Sequence, residues 1–194
     1  MLPDAYRRFA DLEASAVEIN CYESGIIPGL LQSPTYVRAV LAECEGIWWR
    51  EADAEGDDRL TFRLERQSNA FESRRTMRFI VTEDALRGNM GRPEVMRERL
   101  THLLRPMAEH PDLTVRVLGN DVYGNPARGN SLLIFLFGER GTPIAYSQAA
   151  FGPSAYQDNV SDTAAMLRAF HRVWELALSR KDSRRFIERI LEET

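Results

Sequence analysis

Arg63, Arg66 and Gln67 place two guanidinium groups and a carboxamide within about one helical turn, because residues three and four apart share a helix face. Arginine's planar fork grips carboxylate or phosphate through two parallel hydrogen bonds. The set therefore suits capture of an anionic or carboxylate-bearing group. An internal role competes with that one, namely ion pairing with Glu83 or Asp84. Those two acids open a short helix, where the helix dipole favours negative charge whatever the purpose. Gln32 follows an apolar run that must be buried, so its amide needs partners, either a bond that locks the loop or a ligand. Tyr36 and Tyr146 add hydroxyls to segments otherwise committed to the core. Gln32, Tyr36, Arg63, Arg66, Gln67, Glu83 and Tyr146 are thus the expected polar lining of a pocket.

Standard catalytic fingerprints do not occur: the sequence has no G-x-S-x-G, H-E-x-x-H, phosphate-binding glycine loop or C-x-x-C. His102, His110 and His171 are scattered on or beside amphipathic helices, so neither a metal site nor a cofactor is expected. Cys21 and Cys44 sit in amphipathic runs and read as buried, reduced thiols. Trp48-Trp49 ends an amphipathic helix, where one ring must face outward and offers a lid or partner surface.

These residues must be held by one domain, residues 1–194, long enough to bury a core without a metal or disulfide staple. Hydrophobic residues make up 44% and charged residues 28%, which excludes a disordered chain. Net charge is −4, against the basic excess of a dedicated nucleic-acid binder. Lys181 is the single lysine; the other basic positions are arginine. The start of the chain lacks a signal-peptide pattern, and the longest strongly apolar run, Leu132 to Phe137, is far too short for a bilayer. A cytoplasmic location without membrane contact is the expectation.

Phe9, Leu12, Ala16 and Ile19 recur at helical spacing after Pro3-Asp4. A loop rich in Gly and Pro runs from Ser24 to Gln32, and Ser33-Pro34 then reads as N-cap and first helical residue. A third helix spans about Ala52 to Arg75. Period-2 alternation marks strands at Met77–Val81 and Leu113–Val117, with Thr82 as N-cap of a short helix stopped by Gly88. Pro93 opens a helix that Pro106 ends or bends. Leu132–Phe137 and Ile144–Ala149 flank the hairpin turn Gly138-Glu139-Arg140-Gly141, and two amphipathic helices close the chain. The sum is an α+β fold: about four mostly antiparallel strands in one sheet, packed by helices.

Taken in order, several segments resemble a domain of unknown function that follows the XRE-type helix-turn-helix in actinobacterial, antitoxin-like transcriptional regulators. They are Glu13, Ile19 and Tyr22; Ile27-Pro28-Gly29-Leu30-Leu31-Gln32-Ser33; Tyr36 and Arg38-Ala39; Arg63-Leu64-Glu65-Arg66-Gln67, an R-x-x-R-Q; Val81 to Leu86; and the strands to Tyr146. The resemblance covers nearly the whole chain, and I-P-G-L-L-Q and R-x-x-R-Q are its most specific parts. Arg99 stands where such domains usually have glutamine, and Gln148 where they often have an acid. The chain begins almost at the first matching helix, so the helix-turn-helix is not expected in it. What the resemblance implies is a domain that senses a small-molecule ligand or a small partner protein, acting as a homodimer. The alternative is a standalone biosynthetic enzyme that reuses the same pocket for acid/base chemistry on a small anionic or polar metabolite. The stripe Phe186, Ile187, Ile190, Leu191 could dock on a second copy or within the chain. Specific DNA binding by this chain alone is not expected, because the basic stretch Arg59 to Arg78 is interleaved with Asp57, Asp58, Glu65 and Glu72.

Overall fold

The computed structural model describes residues 4–45, 52–139, 141–148 and 154–194. Trp48-Trp49 and the Cys44 side chain lie outside the described residues. Helix α1, Asp4–Ser15, is shorter than its stripe suggests, for Ile19 belongs to strand β1, Glu18–Glu23. The Arg75 guanidinium stops the helix by donating to the carbonyls of Glu13 and, at 3.2 Å, Ala14, acceptors that a helix end leaves open. The Val17 amide then bonds Leu136 O at 2.8 Å and its carbonyl accepts Thr76 N at 3.0 Å, which draws the chain into the sheet.

A 3₁₀ turn (Gly29–Leu31), α2 (Pro34–Val40), a π-helical turn (Leu41–Glu45) and α3 (Ala52–Glu72) lead to β2, Thr76–Thr82. Ser33 caps α2, its hydroxyl accepting Tyr36 N at 3.2 Å. Thr82 precedes α4, Glu83–Arg87, but its hydroxyl takes Gly25 N at 3.2 Å instead of capping the helix. Gly25 can make that turn because its φ of 82° suits glycine. Helix α5, Pro93–Glu109, runs through Pro106 rather than ending there; a proline removes one helical bond, and burial of Pro106 and Met107 holds the last turn in place. Strands β3 (Leu113–Leu118), β4 (Leu132–Leu136), β5 (Ile144–Ser147) and β6 (Ala155–Gln157) follow, then α6 (Val160–Leu176) and α7 (Arg180–Glu193).

All four expected strands share one sheet, but among the described residues it has six strands, in the order β3-β2-β1-β4-β5-β6, not about four. β1 pairs with β2 and β2 with β3 in parallel; β1–β4, β4–β5 and β5–β6 are antiparallel. β1 carries no clear half-buried signature because both its faces are covered. Ile19 and Cys21 face the larger core with Phe79, Val115 and Ile187, while Tyr22 faces Ile80, Ile134, Phe170 and Val173 of the smaller one. β6 has three residues, too few to display a period.

Helices α2, α3, α5 and α7 contribute to the larger core and α6 to the smaller, a helix–sheet–helix arrangement. No helix among the described residues is long and apolar enough to cross a membrane. The α7 stripe is used within the chain, with Ile187 and Ile190 buried in the larger core. Edge strand β3 is closed by the α6–α7 junction: Val117 N donates to Ser183 Oγ and Leu178 N to Val117 O, both at 2.9 Å. With both backbone groups of Val117 engaged, this end of the edge is not open to a foreign strand.

At the carboxyl end of β1, burial pushes the Glu23 carboxyl above its ordinary range, against hydrogen bonds from Ser131 and the Ser24 backbone that lower it. A carboxyl raised in the folded state holds its proton more tightly there than in the unfolded chain. Its contribution is therefore favourable at low pH and is lost as pH rises through the raised value. Glu23→Gln, which keeps an acceptor for the Ser131 hydroxyl, is expected to raise the melting temperature at neutral pH. The gain should vanish below the ordinary glutamate range; thermal melts across pH check it.

Candidate functional site

Between β1 and α2 the run Ile26 to Leu31 has no polar side chain, so its backbone groups need partners from elsewhere. Gln32, fully buried, donates to Ile27 O at 2.7 Å, and Ile27 N donates to the Tyr36 hydroxyl at 3.3 Å. From α3, Gln67 Nε2 reaches Gly29 O at 2.8 Å and Gln32 O at 2.9 Å, and Arg63 donates to Gln32 Oε1 at 3.4 Å. One turn along, Arg66 forms a two-pronged bond to Glu13, each N···O distance 2.8 Å, with its guanidinium 4.5 Å from the Phe9 ring centre. The partner of Arg66 is thus Glu13 on α1, not Glu83 or Asp84. Glu13 lies among the apolar residues of α1, and an acid on such a face requires a cation; that was the readable signal.

Phe9 in turn meets Tyr146 edge-on at 4.8 Å, and the Tyr146 hydroxyl donates to Ser154 Oγ at 2.9 Å. Gln32, Tyr36, Arg63, Arg66, Gln67 and Tyr146 therefore form one connected run from the loop, across α3 and α1, to β5. Arg99, read only as a departure from a family pattern, joins it from α5. Its buried guanidinium sits 5.2 Å from the Tyr36 ring centre and donates to the carbonyls of Leu86 and Gly88. Burial lowers its pKa. Its place between Met96 and Leu103 on the apolar stripe of α5 was the available clue. The histidines stay apart: His110 lies 4.7 Å from Phe71, and His171 flanks Phe170 at 6.2 Å. Cys21 is buried, which pushes its thiol pKa up and keeps it unreactive.

Glu83 is elsewhere. It opens α4 at the carboxyl end of β2, where Arg87 donates to it at 2.8 Å and the Asn120 amide at 3.2 Å. It lines a cleft of about 620 Å³ between the ends of β2 and β3 and the α6–α7 corner. Its charged lining is Glu83, Asp121, Asp182, Arg185 and Arg189, and its apolar lining is Val122, Leu176, Leu178 and Phe186. A second cavity, about 640 Å³, lies between the α4–α5 connection and the end of α7, against Leu86, Met96 and Ile190. Neither cavity is lined by Gln32, Tyr36, Arg63, Arg66, Gln67 or Tyr146.

The model of one protein family, described as a domain of unknown function (DUF5753), matches residues 6–189. The chain belongs to the DUF5753 family. The match takes in every strand and most of both terminal helices, so the DUF5753 domain includes both the interlocked run and the cleft. No curated protein matches the chain.

Proposed function

We propose that this DUF5753 domain is a sensing domain that takes a small-molecule ligand in the cleft at the carboxyl ends of β2 and β3. Occupancy would be passed to a partner, as in the effector half of the XRE-type, antitoxin-like regulators its sequence resembles. The observation that carries the reading is the contrast between two polar groups of residues. Those of the loop and α3 are bonded to one another and to backbone, which suits holding a fold together. Those of the cleft surround a space within the size range of ligand sites, about 300–1,000 Å³, with apolar side chains alongside. Crevices beyond the carboxyl ends of parallel strands are where open sheets commonly bind ligands. A dimer through the α7 stripe is not part of the proposal, because Ile187 and Ile190 of that stripe are buried within the chain, with Phe186 and Leu191 packed against the same core. Specific DNA contact is not part of it either.

Leu178 lines the cleft and is 37% exposed, so Leu178→Trp should fill the space without disturbing the core. Fractions of a metabolite extract from the source cells are expected to raise the melting temperature of the wild type and not of this variant. Equal shifts in both, or none in either, would overturn the assignment of the cleft.

A further inference from the structure

The cleft's charges are divided between its walls. Glu83 and Asp121 belong to the strand-end wall, after β2 and β3, and Arg185 and Arg189 to α7 on the other, with one acid, Asp182, which is tied to Ser179 at the start of that helix. A Cβ placed on Gly119 would lie 2.9 Å from Asp121 Oδ1 and 3.9 Å from Glu83 Oε2, so both carboxylates converge on the space that glycine leaves open. Asp121 accepts no hydrogen bond among the described residues, and Glu83, bonded to Arg87 and Asn120, keeps lone pairs to spare. On the facing helix, Arg189 lies 4.9 Å from the Phe186 ring centre and has no ion pair among the described residues. Arg185 reaches Asp182 only at 3.9 Å. Phe186, Val122 and Leu178 supply the apolar surface of the same cleft.

Two like-charged carboxylates facing one space repel each other and favour a cation between them. Guanidinium groups without close acids favour a carboxylate, which they hold through paired donors. Taken together, the geometry points to a small zwitterion with an apolar body, of the chemical class of an amino acid. We infer that its ammonium lies between Glu83 and Asp121, its carboxylate at Arg185 and Arg189, and its side chain against Phe186. This rests on the cleft being the ligand site. A singly charged ligand would leave either Asp121 on one wall or Arg189 on the other without a counter-charge, since Glu83 already has Arg87 and Arg185 has Asp182.

The test uses three probes on the full chain, followed by NMR titration: phenylalanine, phenylalanine methyl ester, which lacks the carboxylate, and 3-phenylpropanoate, which lacks the ammonium. Phenylalanine is expected to bind, and each singly charged analogue about ten-fold more weakly, the usual scale for losing a charge-assisted contact. Asp121→Asn should weaken phenylalanine and the ester while sparing 3-phenylpropanoate; Arg189→Gln should weaken phenylalanine and 3-phenylpropanoate while sparing the ester. Both positions are exposed helix or loop sites, so the variants are expected to fold, and their melts check that. If the three probes bind alike, and Leu178→Trp abolishes all three, the cleft stands and the zwitterion is refuted. If binding survives Leu178→Trp, the site itself is refuted. Absence of binding by phenylalanine at millimolar concentration overturns the zwitterion inference, whereas the cleft is then decided by the extract shifts.

Discussion

Glu13→Leu is expected to destabilise the fold by about 3–5 kcal/mol, the usual cost of stranding one member of a buried ion pair. The side chains of Glu13 and Arg66 are 5% and 16% exposed, so water cannot replace the lost carboxylate well. Arg66 would keep its stacking on Phe9 and Phe62 but would lose both of its close charge-assisted bonds to Glu13. For a chain of this size the melting temperature should fall by roughly 10 °C. Replacing both residues with leucine should recover most of the loss, because a buried pair exchanged for apolar groups is often close to neutral. A double variant as unstable as the sum of Glu13→Leu and Arg66→Leu taken singly would show that the two charges do not depend on each other. The glutamate also has a backbone role, since its carbonyl accepts from Arg75. That contact does not involve the Glu13 side chain and should survive the substitution.

Gln67→Leu should cost about 2–4 kcal/mol. The substitution is close in size, so packing changes little, but it leaves the carbonyls of Gly29 and Gln32 without their α3 donor. An unpaired buried acceptor costs about 1–3 kcal/mol; the bond to Gln32 is buried and the one to Gly29 only partly so, which adds less. The effect should appear in the chain without any ligand, as a lower denaturant midpoint at unchanged slope. A ligand contact at Gln67 would give the opposite pattern, with normal stability and impaired binding. Unchanged stability would therefore remove the loop-locking role and return Gln67 to the candidate ligand contacts.

Gln67 falls in the R-x-x-R-Q segment and Glu13 in the early helix. Their side chains could be picked out from sequence because each is a polar residue on a surface that periodicity commits to the core. Such a residue must have a partner. Its spacing along the chain carries no information about which one, and Glu83 or Asp84 were as good on paper as Glu13. The choice depended on α1 crossing α3, a contact between residues 53 positions apart in the chain. Arg99 illustrates the same limit, since its bonds go to backbone carbonyls of Leu86 and Gly88 that no side-chain pattern advertises.

Local order was legible wherever one face of an element meets water. The alternation in β2 and β3, the Ser33-Pro34 cap and the amphipathic α6 and α7 all follow from a half-buried surface, which imposes a period on the residues that cover it. β1 lies at the centre of the sheet between β2 and β4, with both faces covered. Burial on both sides erases the period, so Ile19 could be taken for the last residue of a helix. Helix length at that end was decided by Arg75 from another part of the chain. The amino-acid order by itself thus determined which segments are helix or strand at the margins of the fold, and that an α+β domain with a closed core would form. Tertiary structure alone decided the six-stranded order, the Glu13–Arg66 pairing and the cleft. Each of these joins residues distant in sequence through backbone bonds or charges, and such contacts leave no spacing for a sequence to show.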